Sequence, residues 1–237
     1  MIIFNNVSKD YGITSQVLIN IDLKINTGEL VFFVGASGSG KSSILRLIAG
    51  IIKPTHGQVN VQGRVLSAIS YRGLSLAHRE MGIIMEDFNL FHGLTLHENI
   101  EIPLIIKNIP KKERDELVIN ITDQLGLNQR RHFLAKELSS QERKMGMIAR
   151  ALITNPGLVI ADEPLEELEP KWTEKLVAKL SDIHKKGTTI VITTCDTKTA
   201  ENFPERKRII TLSQGKIIHY EIGKASTDKL EGILDNV

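Results

Sequence analysis

Apolar and polar residues alternate through the first 30 positions of the chain. The segments MIIFNNVSKDY (1–11) and VLINIDLKI (17–25) place apolar residues at nearly every second position, which is the period of a strand with one buried face. Gly12 lies between them, where a turn is needed. We therefore predict an antiparallel β region, and the same alternation in GQVNVQGRVL (57–66) predicts one more strand at its edge.

Three other segments are rich in apolar residues and too short to be helices, and the first of them is a continuous apolar run. They are ELVFFVG (29–35), GLVIADEP (157–164) and TTIVITT (188–194), and this composition is typical of strands that are buried on both faces of a sheet. The helical pattern WTEKLVAKLSDIHKKG (172–187) separates the second from the third. The resulting β-α-β order predicts a parallel sheet, with the first of these segments as a central strand.

The pattern becomes helical over residues 87–152. PKKERDELVINITDQLGL (110–127) has proline at its head, apolar residues at helical spacing and a glycine near its end. AKELSSQERKMGMIARAL (135–152) contains Ser139 and, three residues later, Glu142, which is the spacing of a capping box at a helix start. We predict an inserted helical lobe.

The segment RIITLSQGKIIHY (208–220) predicts a closing hairpin around Gln214 and Gly215. Together these elements predict a single α/β domain. Its expected parts are a core with a β subdomain at 1–86 and 153–222, a helical lobe at 87–152 and a tail at 223–237.

Charge, cysteine content and the length of apolar runs limit which partners and which cellular compartment we expect. Thirty basic and 28 acidic residues give a formal net charge of +2 without long runs of one sign, so we expect no nucleic-acid partner. The single cysteine, Cys195, excludes an internal disulfide and fits a reducing compartment. We find no secretory segment and no apolar run of about 18 residues. We therefore expect a soluble protein that contacts membranes only through a partner.

The segment VGASGSGKSS (34–43) fits the pattern G-x-x-x-x-G-K-[ST] and stands between a predicted buried strand and a predicted helix. Its glycines let backbone N–H groups turn toward phosphate oxygens, its lysine supplies a positive charge, and the following hydroxyl can bind Mg²⁺. A glycine-rich turn without a ligand is the alternative. The predicted nucleotide contacts are Gly35, Ala36, Ser37, Gly38, Ser39, Gly40, Lys41, Ser42 and Ser43.

Asp162 and Glu163 stand at the carboxyl end of a predicted buried strand, which is where open α/β sheets bind their ligands. Two adjacent acids could also be a solvated strand end. Paired with the phosphate loop, they predict that Asp162 holds Mg²⁺ together with Ser42, and that Glu163 activates the attacking water as base or orienter. We therefore predict an α/β P-loop core whose cofactors are ATP and Mg²⁺.

With these motifs in this order, nearly the whole chain resembles the ATP-binding cassette (ABC) ATPases. The resemblance implies that Tyr11 stacks on adenine, although a strand-end tyrosine is the alternative. It also implies a homodimer that forms on ATP binding, in which Ser139 and Ser140 face the γ-phosphate held by the other subunit. A membrane partner would hold the protein at the cytoplasmic face of the cell membrane.

Within that family the sequence is most similar to the FtsE group, whose members act in bacterial cell division with the membrane protein FtsX. The likeness rests on MIIFNNVSKDY, MGIIMEDFNLF, ENIEIPLII and RIITLSQGKI. The lipoprotein-release and macrolide-export ATPases are also similar, above all in LTLHENIEIPL. An FtsX-like partner is therefore expected, with a transporter-type ATPase as the alternative. By the same resemblance the partner docks near DFNLFHG (87–93), unless Phe88, Leu90 and Phe91 belong to the core.

The sequence departs from the family pattern at four places. Glu86 replaces a glutamine that contacts Mg²⁺ and water, and the signature L-S-G-G-E-Q-Q-R becomes LSSQERKM (138–145) without its glycines. Glu169 replaces an aspartate, and Cys195 replaces a histidine that binds the γ-phosphate. Cys195 and Lys41 remain candidate catalytic residues beside Glu163, and Glu86 a candidate metal ligand, although an isolated cysteine can also be a small filler.

Because the phosphate loop, Asp162 and Glu163 are intact, we expect ATP binding to be retained better than turnover. Two hypotheses follow for function. The first is a slow ATPase that drives a membrane partner. The second is an ATP-gated scaffold or switch with little or no hydrolysis.

Overall fold

A computed structural model describes residues 2–12 and 16–223 of the chain. Most of the predicted tail therefore lies outside the described residues. The strands and α-helices follow one another as β1 (Ile2–Asp10), β2 (Gln16–Ile25), β3 (Leu30–Val34), α1 (Lys41–Ile48), β4 (His56–Val61), β5 (Arg64–Val65), α2 (Tyr71–His78), β6 (Met81–Ile84), α3 (Leu96–Ile106), α4 (Lys111–Gln124), α5 (Ser140–Leu152), β7 (Leu158–Asp162), α6 (Pro170–Lys185), β8 (Thr189–Thr194), β9 (Lys207–Ser213) and β10 (Lys216–Gly223).

The larger sheet has the strand order β10-β9-β3-β8-β7-β6. The pairs β9-β3, β3-β8, β8-β7 and β7-β6 are parallel, and only β10 joins antiparallel. β3 is internal, and all of its residues are buried. The predicted parallel sheet and its central strand are confirmed.

β3 divides the hydrophobic core because its side chains alternate between the two faces of the sheet. Leu30, Phe32 and Val34 pack with apolar residues of the helices α3 to α6. Val31 and Phe33 pack on the opposite face, against α1 and the smaller sheet. The phosphate loop that follows β3 is therefore held between two packed layers.

The smaller sheet is antiparallel, with the order β2-β1-β4-β5, as the alternating pattern predicted. The segment predicted to lie at the edge, 57–66, spans two strands, β4 and β5, and β5 is the edge strand. β4 is internal. It pairs with β1 on one side and with β5 on the other, and Val59 and Val61 are buried in the core beneath the sheet.

The predicted hairpin between β9 and β10 is confirmed. Gln214 and Gly215 both have positive φ angles, 45° and 74°, which two-residue hairpin turns require. Gly215 N–H donates to the Ser39 carbonyl at 3.2 Å, and the Gly215 carbonyl accepts from Ile19 N–H at 2.9 Å. This turn therefore connects the larger sheet, strand β2 and the phosphate loop.

Helices α4 and α5 lie where the sequence signals predicted, whereas no separate helix was predicted for α2 or α3. α4 starts after Pro110, and Gly126 follows its end with φ 75°. α5 starts with the predicted capping box of Ser139 and Glu142. Within the described residues, none of the helices has the length and apolar composition that a membrane span requires.

Candidate functional site

Four neighbouring strands of the larger sheet end at the same edge, and each is followed by residues predicted to bind nucleotide. The phosphate loop follows β3, Cys195 follows β8, Asp162 and Glu163 end β7, and Glu86 follows β6. Parallel strands create a ligand crevice at their carboxyl ends. The crevice here is a cavity of about 470 Å³.

The phosphate loop has a backbone that only glycine permits at two of its positions. A Cβ on Gly35 would lie 2.3 Å from the Leu212 carbonyl oxygen. Gly40 has φ 106°, and a Cβ there would lie 2.8 Å from the Val17 carbonyl oxygen. Because these clashes are with backbone atoms, the loop can follow this path only with glycine at both positions.

Lys41 is the central cation of the site and is only 6% exposed. Its ammonium donates to the carbonyls of Gly35 at 2.8 Å and Ala36 at 3.2 Å. It also lies 3.1 Å from the Cys195 sulfur and 3.6 Å from Glu163 Oε1. The three predicted catalytic side chains therefore meet at one point, although they are far apart in sequence.

The backbone and neighbouring groups orient Glu163 toward Lys41. Glu163 has a left-handed backbone, with φ 44°, and its N–H donates to the Thr193 carbonyl at 3.1 Å. Its Oε2 accepts from the Cys195 N–H at 3.0 Å. Asp162 accepts a hydrogen bond from the Thr193 hydroxyl. Thr193 of β8 and the backbone of the next-but-one residue, Cys195, thus hold both acids. Because Cys195 contributes its backbone N–H, this support does not depend on the side chain at position 195.

Tyr11 lies at the far end of the same cavity. Its hydroxyl is 3.3 Å from the Ser43 hydroxyl, and the Lys9 ammonium lies 5.0 Å from the ring centroid. The side chain is 49% exposed. An exposed ring beside the phosphate loop has a face available for stacking on a base.

Most of the predicted site residues line this cavity together. They are Tyr11, Ser37, Gly38, Gly40, Lys41, Ser42, Ser43, Glu86, Asp162, Glu163 and Cys195. Gly35, Ala36 and Ser39 are not among the lining residues. Gly35 and Ala36 hold Lys41 through their carbonyls, and the Ser39 N–H donates to the Ala36 carbonyl at 3.1 Å, so these three shape the loop from behind.

Three lining residues were not predicted, namely Val17, Arg46 and Glu166. Arg46 lies one turn beyond Ser42 on α1 and pairs with Asp87 at 2.8 Å. Its position on the same helix face as Ser42 and Ser43 was a usable signal, because residues three and four apart share a face. For Val17 we find no signal in the sequence.

Ser139 and Ser140 are exposed at the start of α5 and are not among the lining residues. The Ser139 hydroxyl accepts from Glu142 N–H at 3.2 Å, and Ser139 N–H donates to the Glu142 carboxylate at 2.8 Å. Burial would raise the pKa of Glu142, but the bonds from Ser139 and Arg130 hold it below its ordinary value. Ser139 and Glu142 therefore complete the capping box with each other, without a ligand or a second subunit.

The residues that line the cavity fit Mg²⁺ and ATP. Ser42, Asp162 and Glu86 offer oxygen ligands, which Mg²⁺ prefers. The glycine positions form a cradle that any side chain would fill, at the start of a helix where N–H groups point outward. When bound, the metal would neutralise charge on the phosphates.

Comparison with known proteins identifies the family. A family profile described as "ABC transporter" matches residues 18–166. The chain is 35% identical to the uncharacterized ABC transporter ATP-binding protein YknY of Bacillus subtilis, covering 95% of this chain and 99% of that one. It is 34% identical to the methionine import ATP-binding protein MetN of Geobacillus kaustophilus, covering 92% of this chain but only 66% of that protein.

Two further similarities concern a longer protein and a solved structure. The chain is 35% identical to the macrolide export ATP-binding/permease protein MacB 2 of Yersinia pestis, of which it spans 32%. The fold is similar to a dimeric structure of a post-hydrolysis state of the ATP-binding cassette MJ0796 bound to ADP and Pi. The TM-score is 0.86 at 32% identity, covering 94% of this chain and 98% of that one.

The phosphate-loop backbone makes a prediction about ATP binding. Saturating Mg²⁺·ATP should raise the melting temperature of the wild type by about 5–10 °C, as ligand at roughly 100 times its Kd does for a domain of this size. Gly35→Ala should lose that rise, because its Cβ must displace the Leu212 carbonyl. Gly73→Ala is the matched control, since the nearest atom to its Cβ is 3.4 Å away. A full ATP-dependent shift in Gly35→Ala would contradict the assignment of this loop.

Proposed function

The chain belongs to the ABC transporter family and is an ATPase domain that uses Mg²⁺ and ATP, and from this premise we propose that it hydrolyses ATP slowly to drive a membrane partner. The observation that carries the proposal is the meeting of Lys41, Cys195 and Glu163 at the ends of β3, β8 and β7. Each of these side chains has a distinct part in the reaction.

Lys41 binds the phosphates of ATP, and Glu163 activates the attacking water. The Lys41 ammonium donates to loop carbonyls that phosphate oxygens can replace as acceptors. Glu163 is then free of its 3.6 Å contact with Lys41 and can take a proton from the attacking water. The Cys195 N–H, which donates to Glu163 Oε2, keeps the other carboxylate oxygen fixed. This arrangement supplies a base and a cation to an in-line phosphoryl transfer.

Cys195 accounts for slow turnover. Its thiol points at Lys41 from the position where the family carries a histidine. A thiol is a weak hydrogen-bond donor, whereas an imidazole N–H is a strong one. The γ-phosphate and the water would therefore lose a donor, while Lys41 and the loop still bind the nucleotide.

We propose that two copies close head to tail on ATP. In that arrangement Ser139 and the N–H of Ser140 face the γ-phosphate held by the other copy. Their exposure at the first turn of α5 supports this, as does the 32% identity to a cassette whose structure is described as dimeric. A helix start favours a phosphate through its unpaired N–H groups.

The membrane partner would dock in a groove of about 530 Å³ that α2, α3, α5 and the segment after β6 surround. Phe91 is 57% exposed there, whereas Leu90 is buried in the core. The Arg150 guanidinium donates to the Phe88 carbonyl and lies 5.9 Å from the Phe91 ring centroid. Phe88 is half-buried and also lines the groove, so Phe91 is the most exposed of the three apolar residues in this segment. A partner bound there would hold the protein at the cytoplasmic face.

For the finer assignment we propose an FtsX-like partner in bacterial cell division, as the resemblance of the amino-terminal and closing segments suggests. The competing assignment is a transporter of the macrolide-export or lipoprotein-release type. The similarity to the macrolide-export protein and the nearly full-length similarity to YknY support that alternative.

Depletion of the protein in its own bacterium separates the two assignments. An FtsX-like role predicts long cells with blocked septa and co-purification with a four-span membrane protein. Phe91→Ala should weaken that co-purification, with the exposed Ile218→Ala on β10 as the control. Normal septation together with loss of export of a macrolide or lipoprotein would overturn the cell-division assignment.

Replacing Glu163 tests whether the site hydrolyses ATP. Glu163→Gln removes the base, and we expect a fall in phosphate release of about 100-fold or more. ATP should then accumulate in a stable dimer that size-exclusion chromatography detects. If phosphate release and the dimer population are the same in Glu163→Gln and wild type, the protein is an ATP-gated switch without turnover.

Position 195 should limit the rate of the wild type. Cys195→His restores a strong donor next to Lys41, and we expect phosphate release at saturating ATP to rise about tenfold or more. Cys195→Ala is the control, because it removes the weak thiol donor without adding a strong one, and it should stay within a few-fold of wild type. A histidine variant that is no faster than wild type would show that the thiol is not the cause of slow turnover.

A further inference from the structure

Helix α5 contacts the loop that carries Glu163 through two of its side chains. We call residues 163–169 the catalytic loop. The Lys144 ammonium donates to the carbonyls of Glu163 at 3.0 Å and Glu166 at 2.6 Å. Gln141, one turn earlier, donates from Nε2 to Glu169 Oε1 at 3.2 Å and accepts from Glu169 N–H at 3.0 Å. Lys144 thus binds the start of the loop and Gln141 its end.

The catalytic loop needs such support because its backbone is strained. Glu163 and Glu167 are both left-handed, with φ 44° and 59°, and a residue with a Cβ disfavours this conformation. Strained residues persist where surrounding contacts over-determine them. Within the loop, Glu166 N–H donates to the Glu163 carbonyl at 3.2 Å and Leu168 N–H donates to the Leu165 carbonyl at 3.3 Å, which are at the long end of hydrogen-bond distances.

The Lys144 ammonium lies among four carboxylates. Burial holds the pKa of Lys144 below its ordinary value, and the carboxylates of Glu166, Glu167, Glu86 and Glu163 offset part of that lowering. These four acids would otherwise repel one another around the site. Lys144 therefore holds two carbonyls of the loop and, with Lys41 beside the Glu163 carboxylate, offsets part of the charge of the surrounding acids.

Gln141 and Glu169 occupy two positions where the sequence departs from the family pattern, and they bind each other. Glu169 precedes α6 as its N-cap, and its side chain makes no cap bond. The amide oxygen of Gln141 accepts a hydrogen bond from the N–H of Glu169 itself. A glycine at 141 would have no group to offer, so the two departures form one contact and are not two separate losses.

We infer that Lys144 is a positioning residue for Glu163 and that Lys144 and Gln141 together make α5 a tether for the catalytic loop. Through it, the position of the helix that carries Ser139 sets the orientation of the catalytic carboxylate. This inference rests on the proposed role of Glu163 in hydrolysis, but the tether itself can be measured without hydrolysis.

Amide hydrogen exchange on the full chain measures the tether directly. In Lys144→Met, the amides of 163–169 should exchange roughly tenfold faster than in wild type, and Lys144→Arg should restore protection because it keeps a cationic donor. Lys112→Met, at an exposed position of α4, is the control. Unchanged exchange of the loop in Lys144→Met would overturn the inference.

The second tether is tested by a double-mutant cycle with the same readout. Gln141→Ala and Glu169→Ala should each speed exchange of the amides at 167–169, and the double variant should exchange no faster than either single one, because both changes remove the same contact. These exposed or half-exposed positions also provide the test if Lys144→Met does not fold. Additive effects would overturn the pairing of Gln141 with Glu169.

Kinetics then connect the tether to Glu163. In Lys144→Met we expect kcat to fall about tenfold with KM for ATP within twofold, and Lys144→Arg should recover most of kcat. A rise in KM as large as the fall in kcat, or no recovery of kcat with arginine, would contradict the role of Lys144 as a positioning residue. If the wild type releases no phosphate, the proposed hydrolysis fails, whereas the exchange measurements still decide whether the tether exists.

Discussion

The Lys41 ammonium is the group on which the rest of the site depends, because it contacts three segments of the chain at once. It holds the carbonyls of Gly35 and Ala36, approaches the thiol of Cys195, and lies beside the carboxylate of Glu163. These residues stand after three neighbouring strands, β3, β8 and β7. The parallel order of the sheet is therefore what turns distant residues into one site, and any change in that order would separate the cation from the base.

Much of this arrangement is predictable from sequence because its signals are local. The all-apolar run of β3 predicts a strand buried on both sides, and the glycine spacing predicts the loop that follows it. The capping box at Ser139 and the turn at Gly215 are also local patterns. Each of these features depends on residues within a few positions of one another, so the chain itself encodes them.

Other features depend on contacts between distant residues and leave no local pattern. The sequence alone does not predict that Gln141 binds Glu169, that Lys144 reaches the carbonyl of Glu163, or that β4 has a neighbour on both sides. Every residue has a backbone carbonyl. When a side chain binds one, the residue type of the partner therefore gives no signal in the sequence. In the sequence the four departures from the family pattern stand far apart, whereas Gln141 and Glu169, which belong to two of them, contact each other in the fold.

The turn at Gly215 has a consequence for how the protein forms during synthesis. It contacts Ser39 of the phosphate loop, and β9, just before it, is one of the two neighbours of β3. β3 is synthesised early, but one of its edges stays unpaired until residues near position 210 have been synthesised. Contacts between such distant positions form slowly, because a long loop must close first. A nascent chain that already contains the phosphate loop, Asp162 and Glu163 thus still lacks a finished nucleotide site, and ATP can stabilise the domain only once the last hairpin has been translated.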